Sequence, residues 1–192
     1  MTGAPTGLAK TPPVLVITGP SGVGKGTLIR GLLERVPGLR LAVSATTRKP
    51  RRGEEDGRDY WFLSSEEFAD RVRRGEFVEH ASYAGNHYGT LREELERPAE
   101  GIVLEIDLQG ARQVRETLPE ATRVFIAPPD KDELRRRLEE RGLDTAQDIS
   151  TRLELSAAEL AAEAEFPEVL VNDELERAQQ DLVDLAARVC RR

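Results

Sequence analysis

The segment Gly19-Pro-Ser-Gly-Val-Gly-Lys25-Gly26-Thr27 restricts this chain more than any other, because it separates two opposite kinds of apolar pattern. Before it, Val14-Leu-Val-Ile-Thr18 is a short continuous apolar run, as in a strand buried on both faces. After it, Leu28, Leu32 and Val36 recur at four-residue steps, which predicts a helix from about Thr27 that stops at Pro37-Gly38. Strand, glycine loop and helix in that order make a phosphate cradle. Without Cβ atoms in the way, successive backbone N–H groups can curve around an anion. The helix N-terminus adds partial positive charge, and Lys25 reaches the β and γ phosphates. An ordinary strand-to-helix turn has no need of a lysine at that offset. Gly19, Pro20, Ser21, Gly22, Val23, Gly24, Lys25, Gly26 and Thr27 are therefore the expected seat of a nucleoside triphosphate.

The alternation of apolar strand and amphipathic helix continues down the chain. Ile102 to Ile106 precedes a helical stretch from Leu108 to Thr117. Val124 to Ala127 precedes, past Pro128-Pro129, a helix from Asp130 to Glu140. Val169 to Val171 precedes a C-terminal helix whose inner face reads Leu175, Ala178, Leu182, Leu185 and Val189. This order predicts an α/β fold with a parallel sheet flanked by helices. Two segments interrupt it. Ser44 to Thr90 is polar, turn-rich and aromatic, which predicts an inserted lobe with short antiparallel strands. Arg141 to about Arg152 is rich in arginine and acidic residues between two helices. The expected organisation is a loose tail over 1–12 and one domain over 13–192. Its core is 13–43, 91–134 and 153–192, with a lobe at 44–90 and a moving lid at 135–152.

Composition narrows the partners. A net charge of -7 argues against broad nucleic-acid binding, and locally clustered arginines suit small anionic ligands better than a long phosphate backbone. No apolar run approaches the roughly 20 residues that cross a bilayer, and no apolar stretch backs Lys10, so neither a span nor a secretory signal is expected. The single cysteine, Cys190, can form no intramolecular disulfide or cysteine-based metal cluster. His80 and His87 fall in no nucleophile or metal pattern. A cytoplasmic protein with no membrane or nucleic-acid partner is expected.

A phosphate loop alone specifies no acceptor. Gly26 stands where the strict pattern has the Ser or Thr that meets magnesium; the Gly-Lys-Gly-Thr form resembles adenylate kinases, and Thr27 is the next hydroxyl. The discriminating segment is Ser44-Ala-Thr-Thr-Arg48-Lys-Pro-Arg51-Arg52-Gly-Glu-Glu-Asp-Gly-Arg58-Asp-Tyr60-Trp-Phe, which resembles the signature of guanylate kinases. Phe77-Val-Glu79, Gly85-Asn-His-Tyr88-Gly-Thr90, Glu105-Ile-Asp107-Leu-Gln-Gly110, Phe125-Ile-Ala-Pro-Pro129 and Val171-Asn172-Asp173 follow in the family's order. The resemblance runs from Val14 to the C-terminus. It implies a P-loop NTPase-like core, a mixed α/β lobe that binds GMP, a short helical lid, and Mg2+-dependent transfer of the ATP γ-phosphoryl group to GMP, with dGMP as a further candidate acceptor. Two other readings stand beside it. One is a kinase for a different nucleoside monophosphate, suggested by Gly26. The other is a guanylate-kinase-like interaction module without catalysis, against which Lys25 and the lid arginines speak.

The residues make chemical sense in these roles. Arg48 and Arg51 offer fork-shaped guanidiniums to a dianionic phosphate, and Tyr60 and Tyr88 add hydroxyl donors without charge. A carboxylate at Glu79 can accept both N1–H and N2–H₂ of guanine, whereas the N1 lone pair of adenine would face it and repel it. The resemblance implies that Ser44 and Thr90 donate to the guanine O6 oxygen. Glu105 and Asp107 close an apolar strand, where ligands of open α/β sheets gather, and their spacing of two places them on one face. Thr27 and Asp107, partly through water, are the expected magnesium contacts. By family position Arg137, Arg141 and Arg152 act with Lys25 and Arg48 on the transferring group, while Arg135 and Arg136 are helix surface.

Overall fold

A computed structural model describes residues 12–140, 153 and 156–191. Arg141, Arg152 and all of the expected tail except Pro12 lie outside the described residues.

The central sheet contains β1 (Val14–Thr18), β2 (Leu39–Leu41), β7 (Gly101–Glu105), β8 (Thr122–Ala127) and β9 (Glu168–Val171). Its order is β2-β7-β1-β8-β9, and every pairing is parallel. Because side chains alternate along a strand, the sheet builds two cores at once. Leu15, Ile17, Val103, Val124 and Ile126 face one way. They meet Leu28 and Leu32 of α1 (Lys25–Arg35), Leu134 and Leu138 of α5 (Lys131–Glu140), and Leu182 of α7 (Leu175–Cys190). Val14, Val16, Ile102, Leu104 and Phe125 face the other way, onto Ala111 and Val114 of α4 (Leu108–Thr117). The helical residues 156–161 (α6) precede β9.

Four details depart from the pattern reading. β2 is a fifth strand; only three half-buried residues long, it shows no apolar run. The first helix begins at Lys25, since Gly24 already supplies the left-handed N-cap at φ 99°. Leu175 is 47% exposed, so the inner face of α7 starts at Ala178. α5 runs unbroken across residues 134 and 135, where the pattern reading sets a boundary, and its Leu138 is fully buried in the core.

The inserted lobe carries a second sheet, ordered β4-β3-β6-β5, from β3 (Ala45–Thr46), β4 (Trp61–Phe62), β5 (Phe77–Tyr83) and β6 (Asn86–Leu91). β6 pairs antiparallel with β3 and β5 as expected, but β3 and β4 are parallel, because the loop between them carries the chain back to its starting side. α2 (Ser65–Arg73) is capped by Ser64, whose hydroxyl accepts from Glu67 N–H at 3.1 Å. Its Phe68 packs with Ala45, Phe77 and Leu91. The chain re-enters the core through the short α3 (Glu93–Glu96).

Candidate active site

The phosphate loop is shaped by close approaches. Gly19 passes so near β8 that a Cβ there would overlap the carbonyl oxygen of Ile126, and Gly22 and Gly24 adopt φ of 90° and 99°. Between these glycines, Val23 is fully buried and anchors the loop. Its carbonyl oxygen accepts from Asn172 Nδ2 at 2.7 Å and from Arg137 Nη1 at 3.3 Å. Lys25 folds back over the loop, with Nζ donating to the carbonyls of Gly19 at 2.6 Å and Pro20 at 3.1 Å. At Gly26 a Cβ would meet nothing within 4 Å, and Thr27 beside it is exposed. The missing hydroxyl at Gly26 therefore has no steric cause.

Loop and lobe face each other across a cleft of about 470 Å3. Gly19, Ser21 and Lys25 form one wall, and Ser44, Tyr60, Glu79 and Tyr88 the other. Glu79 sits on β5 opposite Thr90 of β6, and only 4% of it is exposed. The Thr90 hydroxyl donates to Glu79 Oε1 at 2.8 Å. In this structure the hydroxyl expected on guanine O6 thus positions the carboxylate. Burial pushes the Glu79 carboxyl up to about 7, against the bond from Thr90 and with added repulsion from Asp107. Its second oxygen rests on Gly110, where a Cβ would overlap Oε2 and lie 3.0 Å from Cδ.

Arg48 is pre-aimed. Glu54 accepts from both Nη1 and Nη2 at 2.9 Å, and Nη1 also donates to the Lys49 carbonyl at 2.8 Å. These bonds fix the plane of the fork, and the Tyr88 hydroxyl lies within hydrogen-bond reach of the same guanidinium. The guanidinium lies 5.2 Å from the centre of the Tyr60 ring, which meets Tyr88 edge-on at 6.2 Å. The Glu54 bond holds the Arg48 pKa above its usual value, and burial pushes the Tyr60 hydroxyl up. Arg51 is exposed, and its backbone N–H donates to Glu54 Oε2 at 2.6 Å.

Glu105 and Asp107 both line the cleft. Glu105 ends β7 at an exposed position, where partial enclosure by the cleft raises its carboxyl and the charge of Lys25 counters the rise. Asp107 is the N-cap of α4, its Oδ1 accepting from Gly110 N–H at 2.8 Å, so one of its oxygens is already engaged. Glu159 on α6, which pattern reading missed, joins them in the cleft. Burial raises its carboxyl, while Lys25 and the Ser21 backbone N–H pull it down. Nothing around position 159 in the sequence marks it; only its placement on a helix beside the loop does. Among the described residues no group of three or more acidic, histidine or cysteine side chains could cage a metal ion. The donor set suits a magnesium ion held chiefly by nucleotide phosphates and water, with one or two protein oxygens.

Arg137 donates from Nη2 to the Asn172 carbonyl at 2.9 Å and from Nε to Glu133 at 2.7 Å, so here it braces the underside of the loop. Arg136 pairs along the helix surface with Glu133 and Glu140, and Arg135 is exposed.

Proteins of similar sequence and similar structure share one family. The model of the family described as guanylate kinase matches residues 11–188. A guanylate kinase of Frankia casuarinae is 53% identical over 173 residues, covering 88% of this chain and 94% of that one. One from Synechococcus sp. strain CC9311 is 52% identical over 182 residues, covering 93% and 95%. The crystal structure of guanylate kinase from Anaplasma phagocytophilum superposes with a TM-score of 0.72 at 32% identity, covering 96% of this chain and 91% of that one.

Proposed function

The chain belongs to the guanylate kinase family, ATP:GMP phosphotransferases, and from that premise we propose how its own residues carry the reaction. ATP docks with its β and γ phosphates on the backbone N–H groups of Gly19–Thr27, and Lys25 reaches the γ-phosphoryl group. GMP enters the lobe. Arg48 and Arg51, with Tyr60 and Tyr88, take its phosphate, and Glu79 accepts the two N–H edges of guanine while Ser44 and Thr90 lie near O6. The observation that carries this reading is that Lys25 and the buried Glu79 carboxylate line one cleft, so a triphosphate and a purine monophosphate can share it.

Catalysis is then positioning plus charge neutralisation. Arg137, Arg141 and Arg152 balance the equatorial oxygens of the transferring group, Arg137 by exchanging its hold on the Asn172 carbonyl for phosphate. Excluding water from the cleft during transfer matters because water would otherwise accept the phosphoryl group. Exposed Thr27 and, through water, the second oxygen of Asp107 would hold the Mg2+ carried by ATP, which would supply neutralisation of phosphate charge. No described helix is long and apolar enough to cross a membrane, and for highly charged substrates we assign a cytoplasmic place of work.

The test is ADP release from ATP and Mg2+ with GMP, dGMP, AMP, UMP and CMP offered one at a time. Turnover with the guanine nucleotides alone is expected. Turnover chiefly with another base keeps the kinase and removes the role given to Glu79. Folded protein with no turnover on any acceptor points to a binding module.

A further inference from the structure

Outside the cleft, one carboxylate has an environment that no role described so far explains. Glu94 on α3 has a completely buried side chain, yet no ligand-facing surface. Four donors converge on it. Oε2 accepts from Arg40 Nη1 at 2.7 Å and from the Val43 backbone N–H at 3.0 Å. Oε1 accepts from Trp61 Nε1 at 3.1 Å and from Arg97 Nη1 at 2.9 Å. Arg40 Nη2 also donates to the Glu94 carbonyl. Burial opposes this charge, but the bonds from Val43, Arg97, Trp61 and Arg40 outweigh it and hold the carboxyl below its ordinary range.

The donors come from both places where the chain crosses between core and lobe. On the way out, Ala42 N–H makes a tie to the central sheet, donating to Val103 O at 2.9 Å, and lobe strand β3 starts at Ala45. Val43, held by Glu94, lies in that gap, and Ser44 follows it. On the way back, α3 itself joins β6 to the core, with Leu95 packed among the residues of the central sheet. Trp61 belongs to the lobe and adjoins Tyr60, and its backbone N–H donates to Ser44 O at 2.9 Å. The neighbours of two cleft residues, Ser44 and Tyr60, are thus fastened to a single anion that the core cation Arg40 holds in place.

We infer that Glu94 is a positioning residue for the acceptor nucleotide: it locks both crossings so that Ser44 and Tyr60 stand at a fixed distance from the phosphate loop. This rests on the reading that these two residues touch GMP. The arrangement acts on one substrate only. The ATP loop is anchored separately, through Val23, Asn172 and Arg137, and shares no bond with Glu94.

The test uses the full chain and two variants, Glu94→Gln and Trp61→Phe, with GMP and ATP varied separately. Trp61→Phe removes a single donor and leaves both arginines paired, so it decides the matter if Glu94→Gln does not fold. Expected are a GMP KM raised on the order of tenfold in Glu94→Gln and severalfold in Trp61→Phe, with the ATP KM unchanged, since bonds to a charged group are among the stronger ones. Trp61 is the chain's only tryptophan, so its emission reports the clamp directly and should shift to longer wavelength in Glu94→Gln. Ser44→Ala and Tyr60→Phe are measured alongside. If those two leave the GMP KM unchanged, the contact assignment beneath the inference is wrong. If they raise it while Glu94→Gln and Trp61→Phe leave it flat, or raise both KM values in parallel, the clamp is wrong.

Discussion

The buried carboxyl of Glu79 sets up a pH experiment with a defined magnitude. With its pKa pushed up to about 7 by burial, the group is largely neutral at pH 6 and largely ionised at pH 8. Guanine offers two N–H donors to it, so only the ionised form can accept both. Affinity then scales with the ionised fraction, about one tenth at pH 6 and nine tenths at pH 8, so GMP should bind roughly ninefold more weakly at pH 6. The sign for folding is opposite. A carboxyl raised from 4.5 to about 7 on folding destabilises the native state as pH climbs through that window, by about 3 kcal/mol once above it. Glu79→Gln removes both effects. GMP titrations at pH 6, 7 and 8 should lose the steep dependence in this variant, keeping only the milder change from the phosphate monoester, whose own pKa is about 6. Thermal melts of the variant should exceed those of the parent by several degrees at pH 8 and by little near pH 4.5. A parent GMP affinity that is flat from pH 8 to pH 6, or an equally steep profile in Glu79→Gln, would rule out an ionised Glu79 as the acceptor of the guanine N–H groups.

Three further outcomes follow from the same geometry. Gly110→Ala, whose Cβ would overlap Glu79 Oε2, should raise the GMP KM at least tenfold and narrow the preference for GMP over AMP, read from kcat/KM for the two acceptors. Gly26→Ser should fold and keep its ATP KM, because the site is open, with a gain in melting temperature of a degree or so from the better helix former; an ATP KM raised tenfold would contradict this. Asn172→Ala leaves the buried Val23 carbonyl without its strongest donor and should destabilise the fold by about 1–3 kcal/mol in urea, raising the KM for ATP more than that for GMP.

The parts of this molecule legible from residues alone are those governed by short-range rules. Val14–Thr18 and Leu108–Thr117 coincide with an apolar run and an amphipathic stretch, and the glycine-lysine spacing marks the loop. Glu79 was reachable only through the ordered family blocks, since a lone glutamate in a polar lobe otherwise reads as surface. What stayed hidden depends on distance through space. Glu94 owes its meaning to Arg40, Val43, Trp61 and Arg97, and the bond to Arg40 spans 54 positions. Glu159 owes its own to a helix lying beside Ser21 and Lys25. Arg137 is bonded to the carbonyls of Val23 and Asn172, which no residue pattern advertises. Backbone acceptors leave no trace in side-chain spelling.

The place of β1 in the middle of the central sheet has a consequence for synthesis. Its partners are β7, beginning at Gly101, and β8, beginning at Thr122, so the strand that delivers the phosphate loop has no neighbour until about 90 further residues have been made. At a translation rate of about 5–20 residues per second, that leaves five apolar-rich residues with bare edges for roughly 5–20 s. Non-local parallel pairing is slow to close even afterwards. The lobe, by contrast, is built from one uninterrupted span between residues 44 and 91 and can gather its small core of Ala45, Phe68, Phe77 and Leu91 while the sheet is still waiting. Acceptor lobe before nucleotide loop is therefore the order of assembly expected on the ribosome, the reverse of their order along the chain.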